Sequence, residues 1–111
     1  MQKFLLLYLS QMSAGEQMGS ATPEQAQAGM DAWNAWANAA GDAVVDLGVP
    51  LQHAFTVPSG EAARGGLHVG GYSILQADSA DALRPTLAGH PHLMIPGSVI
   101  EVHELLAMPG A

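Results

Sequence analysis

The first apolar segment of the chain, residues 4–9 (FLLLYL), is apolar at every position rather than at every second one. A strand with one face in water alternates apolar and polar residues, so this segment predicts a strand with both faces covered. Residues 10–21 show no hydrophobic period and predict a long loop, able to fold over a pocket. The chain thus opens with a buried strand and an irregular connection.

The next segment has the signals of a helix. Thr22 can cap its start, Pro23 suits the first helical position, and Gln25 completes a capping box. Gly41 can end the helix. Apolar residues recur within it at spacings of three and four and predict a core-facing stripe, with Trp36 at the edge of that stripe. The stripe consists of Ala26, Met30, Trp33, Ala37 and Ala40.

Residues 43–57 predict an edge strand that is bent at Gly48 and Pro50, since proline cannot donate a hydrogen bond to a neighbouring strand. Residues 58–66 predict a hairpin connection. A strand from Leu67 onward, which includes 72–77, should follow, then a short helix that begins after Asp78-Ser79 and ends at Gly89. Pro85 either kinks this helix or delays its start. Residues 98–106 predict the last strand.

The order β-α-β-β-α-β predicts an α+β fold of one domain over residues 1–111, with two helices on one face of a four-stranded antiparallel sheet. Two helices cover only one face, so the second face requires a partner, and a second copy of the chain is the simplest one. We therefore predict a homodimer. In the last strand, Ile100, Val102 and Leu106 should face the helices, whereas Val99, Glu101, His103 and Leu105 should face the partner.

The charge balance limits the classes of partner. Ten acidic residues against three basic ones give a net charge of −7, which repels nucleic-acid phosphates and anionic membrane surfaces. The chain contains no cysteine, which excludes disulfides and cysteine-ligated zinc. The apolar run KFLLLYL is short for a signal peptide, so we predict a cytoplasmic protein.

Histidines supply most of the candidate chemistry. His90 and His92 flank a proline after the second helix, where an imidazole can bind the last helical carbonyl groups or line a pocket at the sheet edge. His90 is the candidate for proton transfer, with Asp31, Asp46 or Glu101 as its carboxylate partner. Side chains predicted to line a ligand site are Tyr72, His53, His92 and His103.

Glu101 and His103 are two residues apart on a strand and therefore share a face. They can form a proton-transfer pair or an interfacial salt link. No strong metal-binding, phosphate-binding or dinucleotide motif occurs in the sequence, so we predict neither a metal nor a cofactor.

Several motifs together resemble the YCII-related family, in particular its DGPF-type branch. They are KFLLLY, MDAW, the GGY strand, the HPHL turn and the closing SVIEVH strand. The resemblance covers most of the chain and implies a bacterial protein with a ferredoxin-like fold that pairs into a dimeric α/β barrel. PSGEAARGG stands where the branch has its DGPF sequence.

The resemblance also bears on the chemistry. A dehydrochlorinase in this family is proposed to use a histidine near the start of the first helix and an aspartate in an Asp-Pro turn after the second. Here the turn is His90-Pro91, and the predicted first helix contains no histidine. The reversed arrangement would make His90 the base and a carboxylate its orienting partner.

Two classes of function follow. The first is a cofactor-independent lyase, dehydrohalogenase or isomerase that uses His90 for proton transfer. The second is a non-catalytic homodimer that binds a small molecule or regulates another protein, as some relatives associate with sigma factors. A quinol-type monooxygenase rests on fold analogy alone.

Overall fold

The computed structural model describes residues 1–59 and 65–110, which form an α+β fold with one four-stranded antiparallel sheet and three helices. Two short 3-10 turns, Gly41–Ala43 and Pro91–Met94, complete the described elements. The strands are β1 (Gln2–Ser10), β2 (Val44–Asp46), β3 (His68–Ala77) and β4 (Val99–Glu104), and the helices are α1 (Ala14–Ser20), α2 (Pro23–Ala40) and α3 (Ala80–Leu87).

The strand order in the sheet is β2-β3-β1-β4, so β1 is central and pairs antiparallel with both β3 and β4. This order is consistent with the split βαβ arrangement that the sequence predicts. The α+β class and the antiparallel sheet are confirmed. The number of helices is not, because a third helix lies between β1 and α2.

That third helix replaces most of the loop predicted for residues 10–21. Ser13 caps α1: its Oγ accepts the N–H of Glu16 at 3.1 Å, and the Glu16 carboxylate accepts the N–H of Ser13 at 3.3 Å. This capping box satisfies two backbone donors that a helix start leaves unpaired. Only Ala14 of α1 is buried, which explains why no apolar stripe marks this helix in the sequence.

Helix α2 begins and ends as predicted, with a capping box between Thr22 and Gln25 and with Gly41 at its end. The predicted core stripe is correct only in the second half of the helix. Met30 is 62% exposed, whereas Trp36, expected at the edge, is 9% exposed. The sheet lies under the last two turns of α2 only, where Trp33 and Ala37 also pack against the core.

Alternation along β1 divides the sheet into two faces. Phe4, Leu6 and Tyr8 point to the face on which α2 and α3 pack, and they form the core with Leu75 and Leu83. We call this the helix side of the sheet.

Leu5 and Leu7 point to the opposite face, which we call the far side, and each is half-buried. Cross-strand pairing adds residues of β3 and β4 to this face, since directly paired residues point the same way. Leu5 pairs with Ile74 and His103, and Leu7 pairs with Tyr72 and Glu101. The far side therefore has an apolar centre with polar groups toward both edges.

Alternate residues of β4 point to the two faces as the sequence predicts, but the helices do not cover all the apolar side chains on their side. Ile100 packs against the core as predicted. Val102 is 40% exposed and Leu106 is 79% exposed, so the prediction that both meet the helices is wrong. The reason is position: β4 is an edge strand, and Leu106 lies beyond its end at Glu104, so the last strand is shorter than the predicted 98–106.

Pro85 lies in the last turn of α3 and does not delay its start. Ser79 caps the helix by accepting the N–H of Ala82 at 3.1 Å, as the sequence predicts. Because proline has no N–H, one helical hydrogen bond is lost, and the helix closes with a tighter bond from the Ala88 N–H to the Pro85 carbonyl at 3.3 Å.

The predicted edge strand over 43–57 is shorter in the structure. Regular pairing stops at Asp46, and Pro50 forms only an isolated bridge with Gly71. Gly48 turns the chain between them with a φ of +79°. The predicted hairpin connection over 58–66 lies partly outside the described residues.

Gly48 and Gly41 provide a matched test of this turn, because both have positive φ. A Cβ on Gly48 would overlap the Tyr72 carbonyl, whereas a Cβ on Gly41 would meet open space. We expect Gly48→Ala to lower the free energy of unfolding by about 3 kcal/mol or more, and Gly41→Ala by about 1 kcal/mol. Urea unfolding measures both. Equal decreases in the free energy of unfolding for the two variants would contradict a steric overlap at residue 48.

Candidate functional site

His90 is the most deeply placed of the candidate residues. It precedes the 3-10 turn Pro91–Met94, and its side chain is completely buried, with 0% exposure. Its Nδ1 accepts the backbone N–H of His92 at 3.0 Å. Its Nε2 has no hydrogen-bond partner among the described residues, although this atom is buried. A buried polar atom without a partner is uncommon and calls for a functional or structural reason.

Three aromatic rings surround this imidazole. The ring centroid of Trp36 lies 4.2 Å from that of His90, Trp33 lies 4.7 Å away at a nearly perpendicular angle, and Tyr8 lies 5.1 Å away. We call these four residues the ring cluster. Trp33 is half-buried while Trp36 and Tyr8 are buried, so Trp33 is the ring nearest to solvent. The cluster lies between the helix side of the sheet and α2.

Burial controls the charge of His90. Removal from water, together with a smaller charge repulsion from His92, lowers its pKa to about 4. The imidazole is therefore neutral at physiological pH.

Tyr8 joins the cluster to a short hydrogen-bond chain across the sheet. Its hydroxyl donates to Ser73 Oγ at 2.8 Å, and Ser73 Oγ donates to the Leu47 carbonyl at 2.5 Å. Burial raises the pKa of Tyr8 to about 12, with the Ser73 hydrogen bond acting against this rise. The sequence reasoning missed Tyr8, and the available signal was its hydroxyl, the one polar side-chain group in the apolar segment 4–9.

His92 ties the turn to the sheet. Its Nε2 donates to the carbonyl groups of Leu9, at 2.9 Å, and Val99, at 3.1 Å, which belong to the adjacent strands β1 and β4. Both histidines of the His-Pro-His turn are thus buried, and His92 already has partners within the fold.

Asp46 and Tyr72 meet on the far side. The Tyr72 hydroxyl donates to Asp46 Oδ2 at 3.3 Å, and the negative charge of Asp46, followed by burial, raises the pKa of Tyr72. Asp46 Oδ1 also accepts the N–H of Gly48 at 2.9 Å, which fixes the carboxylate at the turn.

Glu101 and His103 form the second far-side pair, with His103 Nε2 donating to Glu101 Oε1 at 2.6 Å. Their side chains are 39% and 52% exposed, so this is a partly solvated hydrogen bond of modest strength. Tyr72 and Glu101 flank Leu7 from either side, about 10 Å apart by strand spacing. The far side therefore presents two polar pairs across an apolar floor.

The structure does not bring His90 together with its candidate carboxylates. Asp46 and Glu101 lie on the far side, whereas His90 packs against Tyr8 on the helix side. Asp31 is exposed on α2 and accepts a hydrogen bond from Gln27 at 2.9 Å. His53 is also exposed, and its Nε2 lies 2.9 Å from Thr56 Oγ1.

Two surface grooves lie apart from the ring cluster. One runs along α2 over residues 23–31, and the other, of about 640 Å³, lies between α3 and β4 and is floored by Phe4 and Ile100. Within the described ranges, no group of three or more histidine and acidic side chains is placed to hold a metal ion. No helix in those ranges has the length and hydropathy to cross a bilayer.

Comparison with known proteins adds no family assignment. No family model matches the chain, and no curated protein matches it. The site is therefore interpreted from its geometry.

The buried neutral His90 predicts a specific pH dependence. Its pKa in the folded chain, about 4, is below its ordinary value of 6.5, so the unfolded chain binds more protons between these values. Above about pH 6.5 the titration of His90 costs no stability. As the pH drops toward 4, it lowers the free energy of unfolding by roughly 2 to 3 kcal/mol.

Chemical unfolding at pH 7, 5.5 and 4.5 measures this loss. His90→Asn should remove this part of the pH dependence, because asparagine does not titrate and its Oδ1 can still cap the turn. His68→Asn, at an exposed histidine, is the matched control. If both variants lose stability with falling pH as the parent chain does, His90 is not the group responsible.

Proposed function

We propose that this protein is a small homodimer, similar to YCII-related proteins, that binds a small molecule at the ring cluster. The observation that carries the proposal is the buried Nε2 of His90, which lacks a partner among the described residues. The surrounding rings supply apolar contact area, and one polar group gives orientation, a combination typical of small-molecule sites. A ligand would reach this group by displacing Trp33, the most exposed ring of the cluster.

The far side supports the homodimer. The central side chains Leu5, Leu7 and Ile74 are half-buried, and Val99 and Leu105 remain 43% and 46% exposed. Helices α2 and α3 pack on the helix side and leave this apolar centre to another partner. A second copy, with its own far side turned inward, would cover it by an isologous contact. A cytoplasmic location belongs to the same proposal.

A second candidate is a lyase, dehydrohalogenase or isomerase in which His90 takes part in proton transfer. The observation in its favour is a neutral imidazole whose Nε2 is buried among the rings and has no partner among the described residues. The far-side positions of Asp46 and Glu101 mean that His90 would act without either carboxylate of the same subunit as its direct partner.

Fragment binding tests the proposed site. Both tryptophans of the chain belong to the ring cluster, so tryptophan fluorescence reports on this site alone. We expect some members of a library of small aromatic fragments to change the emission, and to bind about tenfold more weakly to His90→Asn because one hydrogen bond is lost. His68→Asn should bind them as the parent chain does.

Proton NMR of each bound fragment distinguishes the two functions. Unchanged fragment after long incubation supports a binding module, whereas conversion that His90→Asn abolishes supports the enzyme. Fragments that bind His90→Asn as tightly as the parent chain would contradict a site at the ring cluster.

The homodimer has its own test in sedimentation equilibrium. We expect the parent protein to sediment at twice the mass of its 11.5 kDa chain. Leu5→Lys should give monomers, because it places a charge in the apolar centre of the proposed interface. Ala39→Lys, at an exposed position of α2, should leave the mass unchanged. Circular dichroism verifies that each variant is folded, and a parent protein that is monomeric at micromolar concentration would refute the dimer.

A further inference from the structure

The hydrogen bond from His92 determines which nitrogen of His90 carries the proton. A backbone N–H can only donate, so Nδ1, 3.0 Å from the His92 nitrogen, must present a lone pair. A neutral imidazole has one N–H, and it is therefore on Nε2. The backbone of the turn thus selects a single tautomer.

The same hydrogen bond prevents Nε2 of His90 from acting as a proton acceptor. For Nε2 to accept a proton as a base in the neutral ring, the ring hydrogen would have to move to Nδ1. It would then face the hydrogen of His92 N–H, and the existing hydrogen bond would become a repulsive contact. Protonating both nitrogens is also unfavourable, because burial disfavours the imidazolium.

We propose that His90 is a fixed hydrogen-bond donor and not a proton acceptor, and that its Nε2–H binds the carbonyl oxygen of a flat, uncharged ligand held among the rings of the cluster. This inference rests on the proposed ligand site and names the class of ligand. It replaces the general base that the sequence predicts at this position with a group that binds or polarises a carbonyl.

The surroundings of His90 favour an uncharged ligand. Tyr8 from β1 and His92 from the turn are the titratable groups that face it, while α2 contributes two indole rings. Within the described parts of the chain, these contacts include no lysine or arginine to pair with an anion and no carboxylate to pair with a cation. Transfer of a charged ligand into this site would therefore lack compensation.

The shape of the site favours a flat ligand. The ring of Trp33 is nearly perpendicular to that of His90, at 86°, and it lies 4.9 Å from the ring of Tyr8, also edge to face. A planar molecule that takes the place of Trp33 would contact the remaining rings through its face or edge, and such contacts are favourable for aromatic systems. An aromatic or conjugated ketone, aldehyde or ester meets both requirements.

Nitrogen NMR of the full chain tests the tautomer without any ligand. With ¹⁵N-labelled histidine, the signals absent from His90→Asn belong to His90. We expect the pattern of a neutral ring protonated at Nε2, unchanged from pH 8 down to about pH 5.5. A ring protonated at Nδ1, or one that titrates near 6.5, would overturn the fixed-donor inference even if fragments bind.

Three probes of similar size test the ligand class: acetophenone, cumene, which lacks the oxygen, and benzoate, which is anionic. Because acetophenone absorbs in the ultraviolet and cumene is sparingly soluble in water, the indole N–H signals of Trp33 and Trp36 in nitrogen NMR follow their binding, up to the solubility of each probe. We expect acetophenone to bind the parent chain about tenfold more tightly than either other probe, and to shift the His90 Nε2–H signal.

The selectivity for acetophenone over cumene should vanish in His90→Asn. The shorter side chain of asparagine can still accept the His92 N–H, but it has no donor at the position of Nε2–H. His90→Phe, which keeps a ring and removes both nitrogens, should lose the selectivity as well. Equal binding of acetophenone and cumene by the parent chain would refute the carbonyl assignment and leave the ring cluster as an apolar site. Tighter binding of benzoate, or no response to acetophenone, would refute it also.

Discussion

The central position of β1 is the constraint on which the structure depends. Hydrogen bonds on both edges fix this strand between β3 and β4, so its register sets the register of the sheet. Its side chains then alternate between two environments. Tyr8 points toward the helices and brings the hydroxyl chain and the histidine turn together, while Leu7, its neighbour, lies between Tyr72 and Glu101 on the other face. A shift of one residue in β1 would exchange these two sets of groups.

Separation of the faces also separates two kinds of polar chemistry. On the helix side, polar groups are buried among rings, and burial shifts their pKa values so that the neutral forms are favoured. His90 loses its proton more easily, and Tyr8 keeps its proton more strongly. On the far side, Asp46 and Glu101 keep hydrogen-bonded partners and contact with solvent. Buried neutral donors on one face and solvated carboxylates with hydrogen-bonded partners on the other therefore result from the same alternation.

The sequence predicts the parts of this fold that local chemistry determines. Thr22, Ser79 and Gly41 mark helix ends because caps and positive φ act over a few residues, and the strands follow from apolar runs. Ser13 and Glu16 mark the start of α1 locally as well, but this helix has no apolar stripe, so hydrophobic periodicity predicts a loop there. Met30 was misplaced because periodicity identifies a helix face but not how far the sheet extends beneath it.

The site is harder to predict because it is made by contacts between distant segments. His90 and Trp36 are far apart in sequence, and no local pattern shows that they pack together. The sequence predicts His90 in a pocket at the sheet edge with Asp31, Asp46 or Glu101 as its partner, because histidine is the usual proton-transfer group near neutral pH. The burial and the tautomer of His90 depend on the direction of the turn and on one backbone N–H, which become visible only with the chain folded.

Trp36 shows how the cluster is anchored. Its Nε1–H donates to the Thr86 carbonyl at 2.9 Å, one of the carbonyl groups that the end of α3 leaves without a helical partner. The indole of one helix thus completes the backbone hydrogen bonding of the other, and sliding or parting the two helices would break this link. At the proposed ligand site, entry would therefore require rotation of Trp33 alone while Trp36 keeps its hydrogen bond to α3, without a hinge between the helices.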